Sequence, residues 1–236
     1  MSSRTIKRVL VCSLIAVPLV IGAMVLTNWS GLGTAKNQEG FRIVGPNTPL
    51  FNGTLEGIRF GATEALVADG VQRSLSERCA AGRFDVEDGS QYFQEAPTYL
   101  PPGATLSIPE HYQEIPDTPN PRALVCPSTG AVYKISLSYT FTHDNAPPGE
   151  LHIIRVIEDA PYYAATATAD QISTISLTGR RAVLIDTSIP GQLGLPGIST
   201  VNLIIPEPGG YLAVKSIGLP RSEVLKVAES LLKEGF

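Results

Sequence analysis

The chain has 236 residues, enough for one sizeable core or one domain with appendages, and 17% of them are charged. With 22 Gly and 19 Pro, that low charge content suits a strand- and turn-rich protein better than a helical bundle. Beyond Arg4, Lys7 and Arg8 the chain carries 15 basic against 22 acidic residues, a net charge of −7 that excludes nucleic acid as an expected partner.

The three early basic residues precede "VLVCSLIAVPLVIGAMVL", Val9 to Leu26, which holds 18 residues without a charge. A helix rises ~1.5 Å per residue, so this run covers ~27 Å, close to the apolar thickness of a bilayer. Trp29 follows at the expected interface depth. Pro18 kinks such a helix without breaking it in lipid. The positive-inside bias keeps residues 1–8 as a cytoplasmic tail and makes 9–29 a single-pass transmembrane helix. The other reading is a signal peptide cleaved after the small residues near Gly33 and Ala35, with the remainder secreted. Both put the bulk of the chain outside the cytoplasm, either held at the cell membrane or released. Cys12 lies inside the apolar run. Cys79 and Cys126 form a candidate disulfide in an oxidising compartment; two unrelated buried thiols are the alternative.

Residues 30–55 read as a linker, "SGLGTAKNQEG" being small and polar, with a candidate short strand and turn in Phe41–Phe51. Residues 56–236 are expected to form an extracytoplasmic α+β domain. Spaced apolar residues in Leu66–Cys79 suggest a short helix. From Pro97 to Pro127 there are eight prolines in 31 residues, so loop with short edge strands is expected, "ATLSI" and "RALVC" among them.

In "AVYKISLSYTFT", Ala131, Tyr133, Ile135, Leu137, Tyr139 and Phe141 share one face. Val132, Lys134, Ser136, Ser138, Thr140 and Thr142 share the other. The pattern predicts a strand with one buried and one wet face. "ELHIIRVIE", "QISTISLTG", "RRAVLID", "STVNLIIPE" and "GYLAVKSIG" continue the series between turn signals, giving an antiparallel sheet of five or six main strands. The chain closes on a helix from Pro220 to Lys233 with Val224, Leu225, Ala228, Leu231 and Leu232 on one apolar face. Too short to be stable alone, it is expected to dock on the sheet, with Leu225 and Leu232 buried. The fold class is therefore α+β: a transmembrane helix, then an antiparallel sheet domain with a C-terminal helix packed on it.

Chemistry is sparse. The chain has no GxSxG elbow. "GQLGLPG" spaces Gly191, Gly194 and Gly197, but a strand follows where a phosphate cradle needs a helix. His111, His143 and His152 share no motif, and with Glu110 or Glu114 they lack metal-ligand spacing. Asp85, Glu87 and Asp88 precede Gly89 one position too early for a calcium loop, so a solvated acidic turn is expected. The paired tyrosines of "DAPYYAATATAD" are expected to cap a core edge. No catalytic, metal or cofactor site is predicted.

Three stretches, "PTYLPPGATL" (Pro97 to Leu106), "GRRAVLI" (Gly179 to Ile185) and "GLPRSEVLKVAESL" (Gly218 to Leu231), together resemble an uncharacterised extracytoplasmic bacterial domain. That domain is often attached to anti-sigma-factor-like membrane proteins. Its wider relatives resemble lipoprotein-carrier and sigma-regulator sensor domains, curved antiparallel sheets with helices on the concave side. The resemblance spans roughly residues 95–236. Pro102 and Ala104 depart from the usual acidic and aromatic residues, and "NLIIPEPGGYLAV" replaces a Trp-containing strand. Only about eight residues face the cytoplasm on the anchored reading, so the chain itself is not expected to hold a sigma factor. The anchor, the tether and the absence of a catalytic cluster point to a membrane-anchored sensor or protein-interaction domain of unknown ligand, acting by binding and not as an enzyme. The resemblance by itself implies the alternative, a carrier or chaperone for an apolar ligand such as lipid or a lipoprotein acyl chain. The expected partners are the membrane, through the N-terminal helix, and another protein or an apolar ligand.

Overall fold

The computed structural model describes residues 48–72, 75–92, 97–107, 119–142, 148–189 and 197–233. The apolar segment Val9–Leu26, His111, His143, Glu110, Glu114 and most of the "GQLGLPG" loop lie outside them. Among the described residues, no helix is long and apolar enough to cross a membrane.

The chain begins with strands β1 (Gly53–Leu55) and β2 (Ile58–Gly61) and two short helices, α1 (Thr63–Ala68) and α2 (Leu75–Arg78). The helix expected across Leu66–Cys79 is interrupted because Gly70 turns left-handed at φ 67°, where Val71 and Gln72 both donate to the Leu66 carbonyl. Then come β3 (Asp85–Asp88), β4 (Thr105–Leu106), β5 (Arg122–Val125), β6 (Val132–Phe141), β7 (Gly149–Ile157) and β8 (Tyr162–Ala164). Strands β9 (Ile172–Leu177), β10 (Arg180–Asp186), β11 (Thr200–Glu207) and β12 (Gly210–Ile217) precede the final helix α3 (Arg221–Lys233). The acidic stretch Asp85–Asp88, expected as a turn, is an edge strand paired with β5.

Among the described residues, nine strands form one antiparallel sheet in the order β3-β5-β6-β7-β12-β11-β10-β9, with β4 beside the far end of β6. Six of these are the main strands expected, β6, β7 and β9 to β12; β4 and β5 are the short strands expected in the proline-rich region, and β3 adds an edge strand before it. β1, β2 and β8 make a separate three-stranded sheet in which β2 and β8 run parallel. Local sequence sets the tight hairpins. Between β9 and β10, Thr178 and Gly179 take φ 48° and 83°, the paired left-handed conformation whose twist matches a two-residue hairpin.

The large sheet is covered on both faces. On one, α3 lies over Leu137, Leu151, Ile153, Leu203, Ile205, Leu212 and Val214, all at most 3% exposed. On the other, Ile58 and Phe60 of β2 and Tyr163 of β8 close over Val156, Val183, Ile185, Ile204, Tyr211 and Ala213. The wet face predicted for β6 is therefore corrected: Ser136 and Ser138 are 4% and 3% exposed. Tyr133 is also reassigned. The β5–β6 register shifts between Leu124 and Val125, and Tyr133 packs with the second core and not beneath α3. A one-residue bulge moves a side chain to the opposite face, which strict alternation cannot anticipate.

Helix α3 buries Val224, Val227, Ala228 and Leu231 completely, with Ser230 and Leu232 at 6% and 9%. Leu225, expected in the core, is only partly buried at its margin, and Val227 takes the central place. The real stripe is rotated by a fraction of a turn from the one read off the sequence. Leu231→Ala should thus cost about 3 kcal/mol of unfolding free energy, as for other tightly packed leucines, and Leu225→Ala less than half as much. Urea denaturation of the two variants checks this; equal losses would mean that the stripe has been placed wrongly.

Candidate functional site

The face of the sheet beneath the small sheet is apolar only in part. Pairing runs Arg122↔Ser136 from β5 to β6, Ser138↔His152 from β6 to β7, and His152↔Lys215 from β7 to β12. Side chains directly opposite in paired strands share a face, and residues two apart on one strand do so too. Arg122, Lys134, Ser136, Ser138, Glu150, His152 and Lys215 therefore form one polar patch across four strands.

At its centre Ser138 Oγ lies 2.9 Å from His152 Nδ1, and His152 Nε2 lies 3.1 Å from Glu150 Oε2. A carboxylate accepts only, so Nε2–H donates to Glu150 and the neutral ring accepts the Ser138 hydroxyl proton at Nδ1. Asn120 fixes the same place from β5's approach, its Nδ2 donating to the Ser138 carbonyl at 2.8 Å and its Oδ1 accepting from the Ser138 N–H at 3.0 Å. Arg122 Nε donates to Ser136 Oγ at 3.0 Å. The connectivity serine–histidine–carboxylate is that of an activated nucleophile. Yet Ser138 and His152 are 3% and 9% exposed, whereas a nucleophile must meet its substrate. In this geometry the trio pins the β6–β7 register and keeps the imidazole oriented.

Burial pushes the His152 pKa down, the Glu150 hydrogen bond and charge oppose this, and Lys215 and Arg122 add to the depression. The folded state thus refuses a proton that the unfolded chain accepts below about pH 6.5. The His152 contribution is complete above that pH and is lost as pH falls toward the depressed folded value. Between pH 7.5 and 5.5 the protein should lose stability with a His152-dependent slope of at most ~1.4 kcal/mol per pH unit. Subtracting the same urea series for His152→Gln separates it from titrating groups elsewhere in the protein. A difference that does not vary with pH would refute the assignment.

Around this trio stand Lys134, Arg122 and Lys215. Lys134 and Lys215 are half-buried, and burial lowers both pKa values. The charges of Arg122 and Lys215 lower Lys134 further. Across two strand spacings and four residues their Cα atoms are about 16 Å apart on one face of the sheet. Lys215 Nζ lies 5.8 Å from the Tyr163 ring centroid in the small sheet. Neither lysine makes an ion pair among the described residues.

A second charged cluster lies where α2 meets both sheets. The Arg78 guanidinium sits 4.7 Å from the Tyr133 ring centroid and 5.1 Å from that of Tyr162, and donates to both hydroxyls. Its Nη2 is 3.7 Å from Glu158 Oε1. Phe84 stacks on Tyr133 at 5.2 Å, and the next residue, Cys79, is joined to Cys126. This cluster holds elements together.

Of the residues singled out in the sequence, Cys79 and Cys126 form a disulfide with Cα atoms 5.5 Å apart. His111 and His143 lie outside the described residues, and His152 is in the buried network. Asp88 accepts from Ser90 N and Oγ at the end of β3. Among the described residues, no group of three or more His, Cys, Asp or Glu could hold a metal ion. Tyr163 is a core residue, while Tyr162 belongs to the arginine cluster. The patch lysines were missed. Their signal was a lone cation in an otherwise apolar strand, as in "YLAVKSIG".

The chain is an α+β protein built on a wide antiparallel sheet with its C-terminal helix packed against it. No known protein family, characterised protein or solved structure matches it.

Proposed function

We propose that this protein is a membrane-anchored extracytoplasmic module, a sensor or protein-interaction domain that works by binding and without turnover. The anchor is the charge-free segment Val9–Leu26 behind Arg4, Lys7 and Arg8. The Cys79–Cys126 disulfide is consistent with an oxidising compartment. The observation that carries the binding reading is the placement of Lys134, Arg122 and Lys215 on one face of four neighbouring strands, beside the Ser138–His152–Glu150 network. Like charges sharing a half-buried face do not help a fold, and such groups gather where a ligand is held.

The test uses cells in which deleting the gene gives a phenotype. The variant carrying both Lys134→Gln and Lys215→Gln should reproduce the deletion while remaining folded and exported. Removing Met1–Leu26 and exporting the domain untethered should also abolish function. Full function of the untethered domain would overturn the anchored reading, and full function of the lysine variant the binding site.

A second reading, a carrier of an apolar ligand, is favoured by Ile189, Ile198 and Ile217, which are 62%, 49% and 44% exposed. The register of β10–β12 sets them at one end of the same face. Acyl chains co-purifying with the exported domain would favour it over the sensor reading.

A further inference from the structure

We propose that the protein pairs with a second copy of itself through the outer edge of β9, joining two large sheets into one across a two-fold axis at Thr174. The inference goes beyond the binding reading and depends neither on the lysine patch nor on the anchor.

β9 ends the large sheet. Its strand neighbour is β10, and among the described residues nothing pairs with its other edge. Asp186 N donates to the Gln171 carbonyl at 2.9 Å, just before the ladder that runs from Ile172↔Ile185 to Leu177↔Arg180. Bonded and non-bonded pairs alternate along an antiparallel ladder. Ser173, Ile175 and Leu177 therefore turn their N–H and C=O groups toward β10, and Ile172, Thr174 and Ser176 turn theirs outward. An open row of that kind is a template for another strand unless the sequence guards it.

The two ends of the sheet differ in this respect. β3, at the opposite end, carries Asp85, Glu87 and Asp88 among its four residues, and like charges repel a copy. β9 is "ISTISL", six residues with no charge, proline or glycine. Ile172, Thr174 and Ile175 are β-branched and suit a paired strand. The cores also stop short here. Ile175 is only partly buried at the margin of the core under α3, and Ile172 at the margin of the other. A strand laid alongside would extend both.

The occupant follows from the symmetry of the strand itself. Setting Thr174 opposite the same residue of the copy also sets Ile172 opposite Ser176 and Ser176 opposite Ile172, so the whole open row is bonded. Thr–Thr is a favourable cross-strand pair, and no like charges meet. On the α3 face Ile175 falls opposite Ser173 of the copy and diagonal to the copy's Ile175, within side-chain reach. The contact is self-complementary, as a two-fold interface requires.

The experiment is equilibrium sedimentation of the full chain in density-matched, uncharged detergent. The mass should rise from one chain toward two as concentration passes through roughly 10–100 μM, the range for a small interface. Thr174→Pro leaves the β9–β10 ladder intact, because the Thr174 N–H faces away from β10, and should weaken association at least about tenfold. Thr174→Lys, which sets two ammonium groups face to face, should do the same. Val86→Lys, on the β3 edge, should leave association unchanged. Cross-linking reads the register in a chain that also carries Cys12→Ala. Oxidation of Thr174→Cys should give a covalent dimer, since bonded pairs place Cα atoms about 5.5 Å apart. Ser176→Cys should not link, its counterpart being about 14 Å away. The proposal falls if the wild type stays a single chain throughout, or if Thr174→Lys associates as the wild type does. It also falls if Ser176→Cys links as readily as Thr174→Cys. Growth beyond two chains would overturn it too, because one β9 edge per copy closes with a dimer. If Thr174→Pro fails to fold, Thr174→Lys and the cross-link decide.

Discussion

Arg78→Ala should destabilise the protein by about 3–5 kcal/mol, the range for breaking a buried ion pair from one side. The side chains of Arg78 and Glu158 are only 10% and 6% exposed, so water replaces little of what is lost. The guanidinium is also the hub between three elements. It extends from α2, lies against Tyr133 of β6 in the large sheet, and lies against Tyr162 of β8 in the small one. Both hydroxyls accept from it, and burial already holds the Tyr133 phenol well above its usual pKa. Deleting the side chain strips Glu158 of this cation and leaves two ring faces against a void. Arg78→Lys should recover only part of the loss, since an ammonium lacks the flat fork that spans two rings. The comparison is Arg181→Ala, whose ion pair with Glu56 has an arginine 68% exposed and should contribute less than ~1 kcal/mol. Urea unfolding of the three variants decides it. An Arg78→Ala loss no larger than that of Arg181→Ala would sink the assignment of Arg78 as a structural hub.

Losing the disulfide should have a similar effect by another route. Cys79 and Cys126 are 47 residues apart, and closing a loop of that length restricts the unfolded chain by about 4 kcal/mol on the entropic account. The bridge ties α2 to the end of β5, next to the arginine cluster, and closes a loop rich in proline. Cys79→Ala with Cys126→Ala is the proper test, because the cysteines are 2% and 1% exposed and a reductant reaches them poorly. A melting temperature within about 2 °C of the wild type would mean that the denatured chain was already restricted there. Combining these changes with Arg78→Ala should give less than the sum, since Arg78 and Cys79 are adjacent and share a packing environment.

The sequence by itself determined the repeating parts. Period-two alternation in Tyr133–Phe141 and the later strands placed the antiparallel sheet. Period-3.6 spacing in Val224–Leu232 placed the closing helix, because both patterns are local consequences of backbone geometry. Only the tertiary structure decided that β6 has no wet face. Ser136, Ser138 and His152 look like surface residues until the fold buries them, and hydrophobicity read along one strand cannot report what lies above it. The same limit hid the candidate site. Lys134 and Lys215 are 81 positions apart and sit unremarkably in their own strands. They acquire a shared electrostatic role only when β7 is inserted between β6 and β12. Pairing order is a long-range property, fixed by which strands bury each other's apolar faces, and so a site assembled across four strands exists nowhere in the linear pattern.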